Sequence, residues 1–256
     1  MPRILNIDID NLRFDDFLQK LTSGVVFTPN VDHVMKMQKD RDLYDMYQQA
    51  DYRVCDSRII QLVSAWATGE KIIDQIAGSD FFPAFCYHHR DNTAQIRVFL
   101  LGGTPDSVRQ AQNKINERAG SQVAVGGYSP PFGFEHDPEE TEKIIEKITH
   151  SGATVLAVGV GAPKQEKWIM THKDQLPAIK IFLGIGATID FIAGHRKRAA
   201  PWVSRMGLEW AFRLMQEPGR MFRRYLIENL PFFWLILKQK VGRYQNPWTK
   251  DLPSPS

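Results

Sequence analysis

An α/β fold, with a mostly parallel sheet, helices on both of its faces and an Arg-rich helical appendage at the C-terminus, is predicted by three features of the sequence. Across residues 1–190, short β-branched apolar runs alternate with longer amphipathic stretches, the spacing of βαβ units. The run at residues 96–101 is almost continuously apolar, as a strand buried on both faces of a sheet requires. After Gly194 no strand run remains, and arginines and aromatics at helical spacing take over.

Strands are expected at residues 25–27, 52–55, 96–101, 122–125, 154–158 and 179–183, each rich in β-branched or aromatic side chains. Between them the 3.6-residue period places helices at about residues 32–50, 57–67, 80–89, 106–118, 138–150 and 164–172. Three more helices are expected at about residues 202–216, 218–226 and 231–240. Pro201, Pro218 and Pro231 suit their first turns, where a missing N–H costs nothing. The end, with Asn246, Pro247, Pro253 and Pro255, reads as disordered. The chain is thus divided into an α/β core (residues 1–194), a helical appendage (195–245) and a loose tail (246–256), and removal of everything beyond Gly194 is expected to leave a folded core.

The 256 residues are 43% hydrophobic and include two cysteines, Cys55 and Cys86. This excludes a disordered chain or a disulfide-stapled mini-fold and points to a reduced, cytoplasmic protein. No apolar run reaches the roughly 18 to 20 residues that cross a bilayer, and the N-terminal MPRILNIDID lacks a signal-peptide core. The net charge of +3 is unevenly divided: residues 195–256 hold twelve cations and four anions, a net +8, and residues 1–194 carry −5. So basic a tail is expected to meet a phosphate, a lipid surface or a nucleic acid.

Several polar and glycine-rich segments fall at predicted strand ends, where open α/β sheets bind ligands. Thr28 and Asn30 follow the first strand and precede a helix, so they either cap that helix or face a ligand. Asp56 ends the second strand and could cap the next helix or accept a proton from a bound hydroxyl. Gly102 and Gly103 close the buried strand at 96–101, and Gly161 and Gln165 lie in the segment Gly159-Val160-Gly161-Ala162-Pro163-Lys164-Gln165. A third loop runs from Gly184 to Asp190. Glycines at such turns let a phosphate reach backbone N–H groups at a helix N-terminus, although each turn alone is routine structure.

Arg213, Arg220 and Arg223 are spaced by seven and three residues, so an unbroken helix would carry them on one face, suited to a diphosphate or simply solvated. Phe232, Phe233 and Trp234 beside Lys238 and Lys240 read equally as an interfacial helix at anionic lipid, a buried docking helix or an oligomer contact. The seven histidines form no metal-ligand spacing, and neither a Walker A sequence nor a serine nucleophile elbow occurs.

Taken in order, the segments 27–32 (FTPNVD), 54–57 (VCDS), 77–80 (AGSD), 99–103 (FLLGG), 159–166 (GVGAPKQE), 184–194 (GIGATIDFIAG) and 207–213 (GLEWAFR) resemble the WecG/TagA/CpsF family of bacterial glycosyltransferases, family 26, from about residue 3 to 228. The resemblance implies a Rossmann-like core with a helical appendage that also attaches to the membrane. It implies inverting transfer of a sugar from a UDP-sugar to a polyprenyl-diphosphate-linked acceptor in surface or exopolysaccharide assembly, at the cytoplasmic face of the inner membrane. By it Asp56 is the general base, Thr28, Asn30 and Gln165 line the sugar and acceptor pocket, and Arg213, Arg220 and Arg223 reach the diphosphate. Neither metal, cofactor nor nucleic acid is expected. The chain departs from the family pattern at Cys55-Asp56-Ser57, where Pro-Asp-Gly is common, and at Gln75, where Arg is common, which bears on the choice of donor or acceptor.

Two other classes fit parts of the sequence. A nucleotide-binding oxidoreductase shares the βα core, but the first βα turn lacks GxGxxG and the spaced acidic residue. A non-catalytic membrane-surface binder accounts for the basic tail and leaves the polar strand ends unexplained.

Overall fold

A computed structural model describes residues 1–196, 209–216, 219, 222 and 228–249 of the chain. In order the elements are β1 (Arg3–Ile4), β2 (Ile7–Asp8), α1 (Phe14–Lys20), β3 (Gly24–Phe27), α2 (Val31–Met37), α3 (Arg41–Gln49), β4 (Tyr52–Arg53), α4 (Arg58–Thr68), α5 (Gly78–His88), β5 (Val98–Gly102), α6 (Pro105–Ala119), β6 (Ala124–Tyr128), α7 (Pro138–His150), β7 (Val155–Gly159), α8 (Lys164–His172), β8 (Ile181–Gly184), α9 (Thr188–Ala193), α10 (Glu209–Gln216) and α11 (Pro231–Lys240). The six strands β3 to β8 form one sheet, parallel throughout, in the order β4-β3-β8-β7-β5-β6. The predicted α/β architecture with a parallel sheet is the observed one.

Alternation along the strands builds two cores, because successive side chains leave opposite faces of a sheet. Val25, Phe27, Phe99, Leu101, Leu156, Val158 and Phe182 face one core, together with Cys55. Val26, Val98, Leu100, Val155, Ala157, Ile181 and Leu183 face the other, together with Cys86. The two thiols are free and buried on opposite sides of the sheet.

Helix starts follow local chemistry. Asn30, Asp40, Ser57, Thr104 and Asp137 each accept backbone N–H groups at the start of α2, α3, α4, α6 and α7. The helix expected over 32–50 is two helices, because Asp40 caps Leu43 N–H at 3.0 Å and restarts the chain as α3. The antiparallel pair β1–β2 and the short helices α1 and α9 are additional to those the period predicted.

Pro231 occupies the first turn of α11 as expected, but Phe232 and Ile236 are 0% and 2% exposed and belong to the core beside α4 and α2. Gln239 Oε1 accepts from Leu5 N at 2.8 Å, and its Nε2 donates to the Arg3 carbonyl at 2.6 Å. Tyr244 Oη donates to Gln38 Oε1 at 2.7 Å. Trp248 Nε1 donates to the Met37 carbonyl at 2.8 Å, so of the tail expected to be loose from Asn246 the described residues 246–249 are tethered through Trp248, and the rest lies outside the described residues. An aromatic that covers apolar surface and also satisfies a buried carbonyl outweighs the turn-forming composition around it. Phe232, Leu235, Ile236 and Tyr244 thus pack against the core. The expected helix at 202–216 is described only as α10, and that at 218–226 lies outside the described residues except for positions 219 and 222.

Candidate active site

The chain reverses its direction across the sheet twice. From β3 it steps outward to β4 while β8 takes β3's other side, and from β5 it steps outward to β6 while β7 returns. Such switch points open crevices at the carboxyl ends of the strands. The loops bearing Thr28 and Asn30, Asp56, Gly102 and Gly103, Gly161, and the turn leading to Asp190 all leave that edge.

Two of these loops are joined through the backbone. Val54 N donates to the Phe27 carbonyl at 3.1 Å and Asp56 N to the Pro29 carbonyl at 3.0 Å, extending the β3–β4 ladder past the strands. Thr28, 9% exposed, lies under the start of α5: a Cβ on Gly78 would sit 3.8 Å from Thr28 Oγ1 and 3.6 Å from Ile185 Cα. The Asn30 side-chain oxygen is committed to capping, accepting from the N–H groups of Asp32 at 3.0 Å and His33 at 3.3 Å. For Asp56 the capping alternative is taken by its neighbour, since Ser57 Oγ accepts the Ile60 N–H.

The glycines divide by role. A Cβ on Gly102 would lie 2.6 Å from the Gly159 carbonyl group, and one on Gly159 would lie 2.7 Å from the Gly186 oxygen. Three strand ends thus pack backbone on backbone, and closeness of neighbouring chain accounts for Gly102. Gly103, φ +68°, faces instead the side chains of Ile189, Ser107 and Asp190, at 3.2–3.4 Å from a hypothetical Cβ. Gly161, φ +84°, has nothing within 4 Å, and its turn is open on that side.

Gln165 is 3% exposed. Its Oε1 accepts the Gly186 N–H at 3.0 Å and its Nε2 donates to Glu166 Oε1 at 3.0 Å, so the amide bridges the loops after β7 and β8. Sequence reasoning missed what lies behind it. Glu166 is fully buried, and its Oε1 also accepts from Tyr47 Oη at 3.2 Å, which in turn lies 3.0 Å from His33 Nδ1. Burial pushes the Glu166 carboxyl above its ordinary range, and burial together with Glu166 pushes the Tyr47 phenol well up. Lys36, also missed, ties α2 to the loop after β7 through Asp32 Oδ2 at 3.0 Å and the Ala162 carbonyl at 3.3 Å. The one available signal was an acid at the first turn of α8, within a helix whose next side chains, Trp168 and Ile169, are buried.

Asp190 stands at the root of the basic segment, with Oδ2 3.6 Å from Arg196 Nε and its carbonyl accepting from Gly194, His195 and Arg196. Arg213 falls within α10, but its side chain lies outside the described residues, as do Arg220 and Arg223 entirely. Among the described residues, no group of three or more His, Cys, Asp or Glu side chains is arranged to hold a metal.

A wholly parallel sheet with polar and glycine-rich loops gathered over its switch points defines a Rossmann-like α/β protein, a class that binds ligands at its strand ends. The chain matches the model of the glycosyl transferase WecG/TagA/CpsF family over residues 2–246 and belongs to that family. It is accordingly a glycosyltransferase of cell-surface polysaccharide synthesis.

Proposed function

We propose that the chain is an inverting hexosyltransferase that moves a sugar from a UDP-sugar to a hydroxyl on a polyprenyl-diphosphate-linked glycan, working as a peripheral protein on the cytoplasmic face of the inner membrane. The observation that supports this reading is the backbone bond from Asp56 N–H to the Pro29 carbonyl, which sets the loop bearing Asp56 beside the one bearing Thr28 and Asn30. Asp56 takes the proton of the acceptor hydroxyl as that oxygen attacks the anomeric carbon. The new C–O bond forms on the face opposite the diphosphate, the bond to the diphosphate breaks, and the bonding pair leaves with UDP. Thr28 Oγ1, Asn30 Nδ2 and the second Nε2 hydrogen of Gln165 bind sugar hydroxyls in this scheme. The open Gly161 turn, Arg213, Arg220 and Arg223 receive the developing diphosphate charge.

Membrane attachment in this reading uses the outer face of α11. Phe233, Trp234 and Leu237 are exposed there, with Lys238 Nζ 5.4 Å from the Trp234 ring and Lys240 Nζ 5.9 Å from that of Trp66 on α4. Among the described residues, no helix is long and apolar enough to cross a membrane.

The test is transfer from a panel of UDP-sugars to a synthetic lipid-diphosphate acceptor, followed by mass spectrometry. Asp56→Asn is expected to lower the rate about 10² to 10⁴-fold, the usual cost of removing a general base. A folded variant that keeps more than roughly a tenth of wild-type transfer would sink the assignment.

A further inference from the structure

Glu166 combines complete burial with uneven use of its two oxygens. Oε1 accepts from both Tyr47 Oη and Gln165 Nε2, whereas Oε2 has no hydrogen-bond partner. The bonds around it all point toward it. Tyr47 has a single hydroxyl hydrogen and gives it to Glu166, so its oxygen accepts from His33, whose proton is thereby fixed on Nδ1. Gln165 Nε2 gives to the same Glu166 oxygen, so the Gln165 carbonyl faces the Gly186 N–H. A flipped amide would set its NH2 against the Gly186 N–H and its oxygen against Glu166 Oε1, two repulsive contacts at hydrogen-bond distance. The chain from His33 to Gly186 spans α2, α3, α8 and the loop after β8, and Glu166 is its only member that accepts from both sides.

We propose that Glu166 is a positioning residue: as the acceptor on which the chain from His33 and Tyr47 converges, it fixes the Gln165 amide in the orientation that ties down Gly186 and keeps one Nε2 hydrogen for the sugar nucleotide. The part of the claim that concerns the sugar nucleotide rests on the transfer reading above. The internal geometry does not. Burial displaces the Glu166 carboxyl upward, and the Gln165 and Tyr47 hydrogen bonds and the Lys36 cation oppose that displacement.

The experiment uses the full chain labelled with 15N. Glu166→Ala is expected to speed hydrogen exchange at the Gly186 N–H about tenfold or more, the equivalent of one lost hydrogen bond, while amides in β5 and β7 keep their protection. The same variant is expected to lower kcat/KM for transfer from the UDP-sugar that the wild type accepts by about tenfold. Glu166→Gln, which keeps a carbonyl oxygen for Tyr47 and Gln165, is expected to recover most of both losses. Wild-type exchange at Gly186 in Glu166→Ala, or equal losses in the Gln and Ala variants, would overturn the proposal. If the alanine variant does not fold, Tyr47→Phe decides: the His33 imidazole 15N shifts are expected to leave the Nδ1–H tautomer, and an unchanged tautomer overturns the chain. The exchange and tautomer readouts require no donor, so they test the network even if the wild-type chain transfers no UDP-sugar, an outcome that would count against the proposed reaction alone.

Discussion

At the scale of single residues, the buried Glu166 gives the protein a defined response to pH. Its carboxyl titrates above the ordinary value of 4.5 because burial disfavours the charge. The folded state therefore holds a proton that the unfolded state has released, and stability is fully present below pH 4.5 and falls as pH rises through the folded value. The groups that face it are Tyr47 on α3, His33 and Lys36 on α2 and Gln165 on its own helix. Glu166→Gln removes the titration. Urea unfolding at a series of pH values is expected to show the variant gaining on the wild type above pH 4.5, by at most about 1.4 kcal/mol per pH unit. A gap independent of pH would contradict this. The glycines offer a contrast of the same kind. Gly102→Ala forces a Cβ to within 2.6 Å of the Gly159 backbone at φ +131°, and should cost about 2–5 kcal/mol. Gly161→Ala meets open space and should cost only the strain of its positive φ, about 1–2 kcal/mol.

At the scale of elements, α11 shows how one short helix can serve two surfaces. Phe232 and Ile236 complete the core while Phe233, Trp234 and Leu237 face outward. Phe232→Ala is expected to destabilise the protein by about 3–5 kcal/mol in denaturant unfolding, as for any filled core site emptied of an aromatic ring. For the same reason a chain cut at Gly194 should lose cooperative unfolding instead of leaving an intact core. The central strands were legible because each is a dense apolar run, and those at 96–101 and 154–158 match β5 and β7 to within two residues. The β1–β2 pair was not, since its two-residue strands lie in an N-terminal segment where acidic and apolar residues mix and no apolar run stands out. The break between α2 and α3 was hidden because the amphipathic pattern continues through Gln38 and Lys39. At the site, Thr28, Asn30, Asp56 and Gln165 could be placed at the sheet edge from their position after strands. The network behind Gln165 could not, because Tyr47 and Glu166 are 119 positions apart and neither belongs to a spacing motif.

At the scale of the whole molecule, the charge division of −5 and +8 gives the protein an electrostatic polarity that its net +3 conceals. Replacing both Phe233 and Trp234 by Ser should weaken binding to vesicles rich in phosphatidylglycerol by about tenfold or more, each ring contributing over 1 kcal/mol of apolar transfer. Because both side chains are more than half exposed, stability should change by no more than about 0.5 kcal/mol each. Cosedimentation and thermal unfolding together separate the two effects. Gln239 adds a condition in time. Its amide holds the Leu5 N–H and the Arg3 carbonyl from a point 234 residues further along the chain. As the ribosome makes the protein, the β1–β2 hairpin emerges long before α11 and waits with those backbone groups in water until nearly the last turn of α11 has left the exit tunnel. The beginning of this chain is finished by its end, and a nascent polypeptide released early would carry an unsealed N-terminal edge.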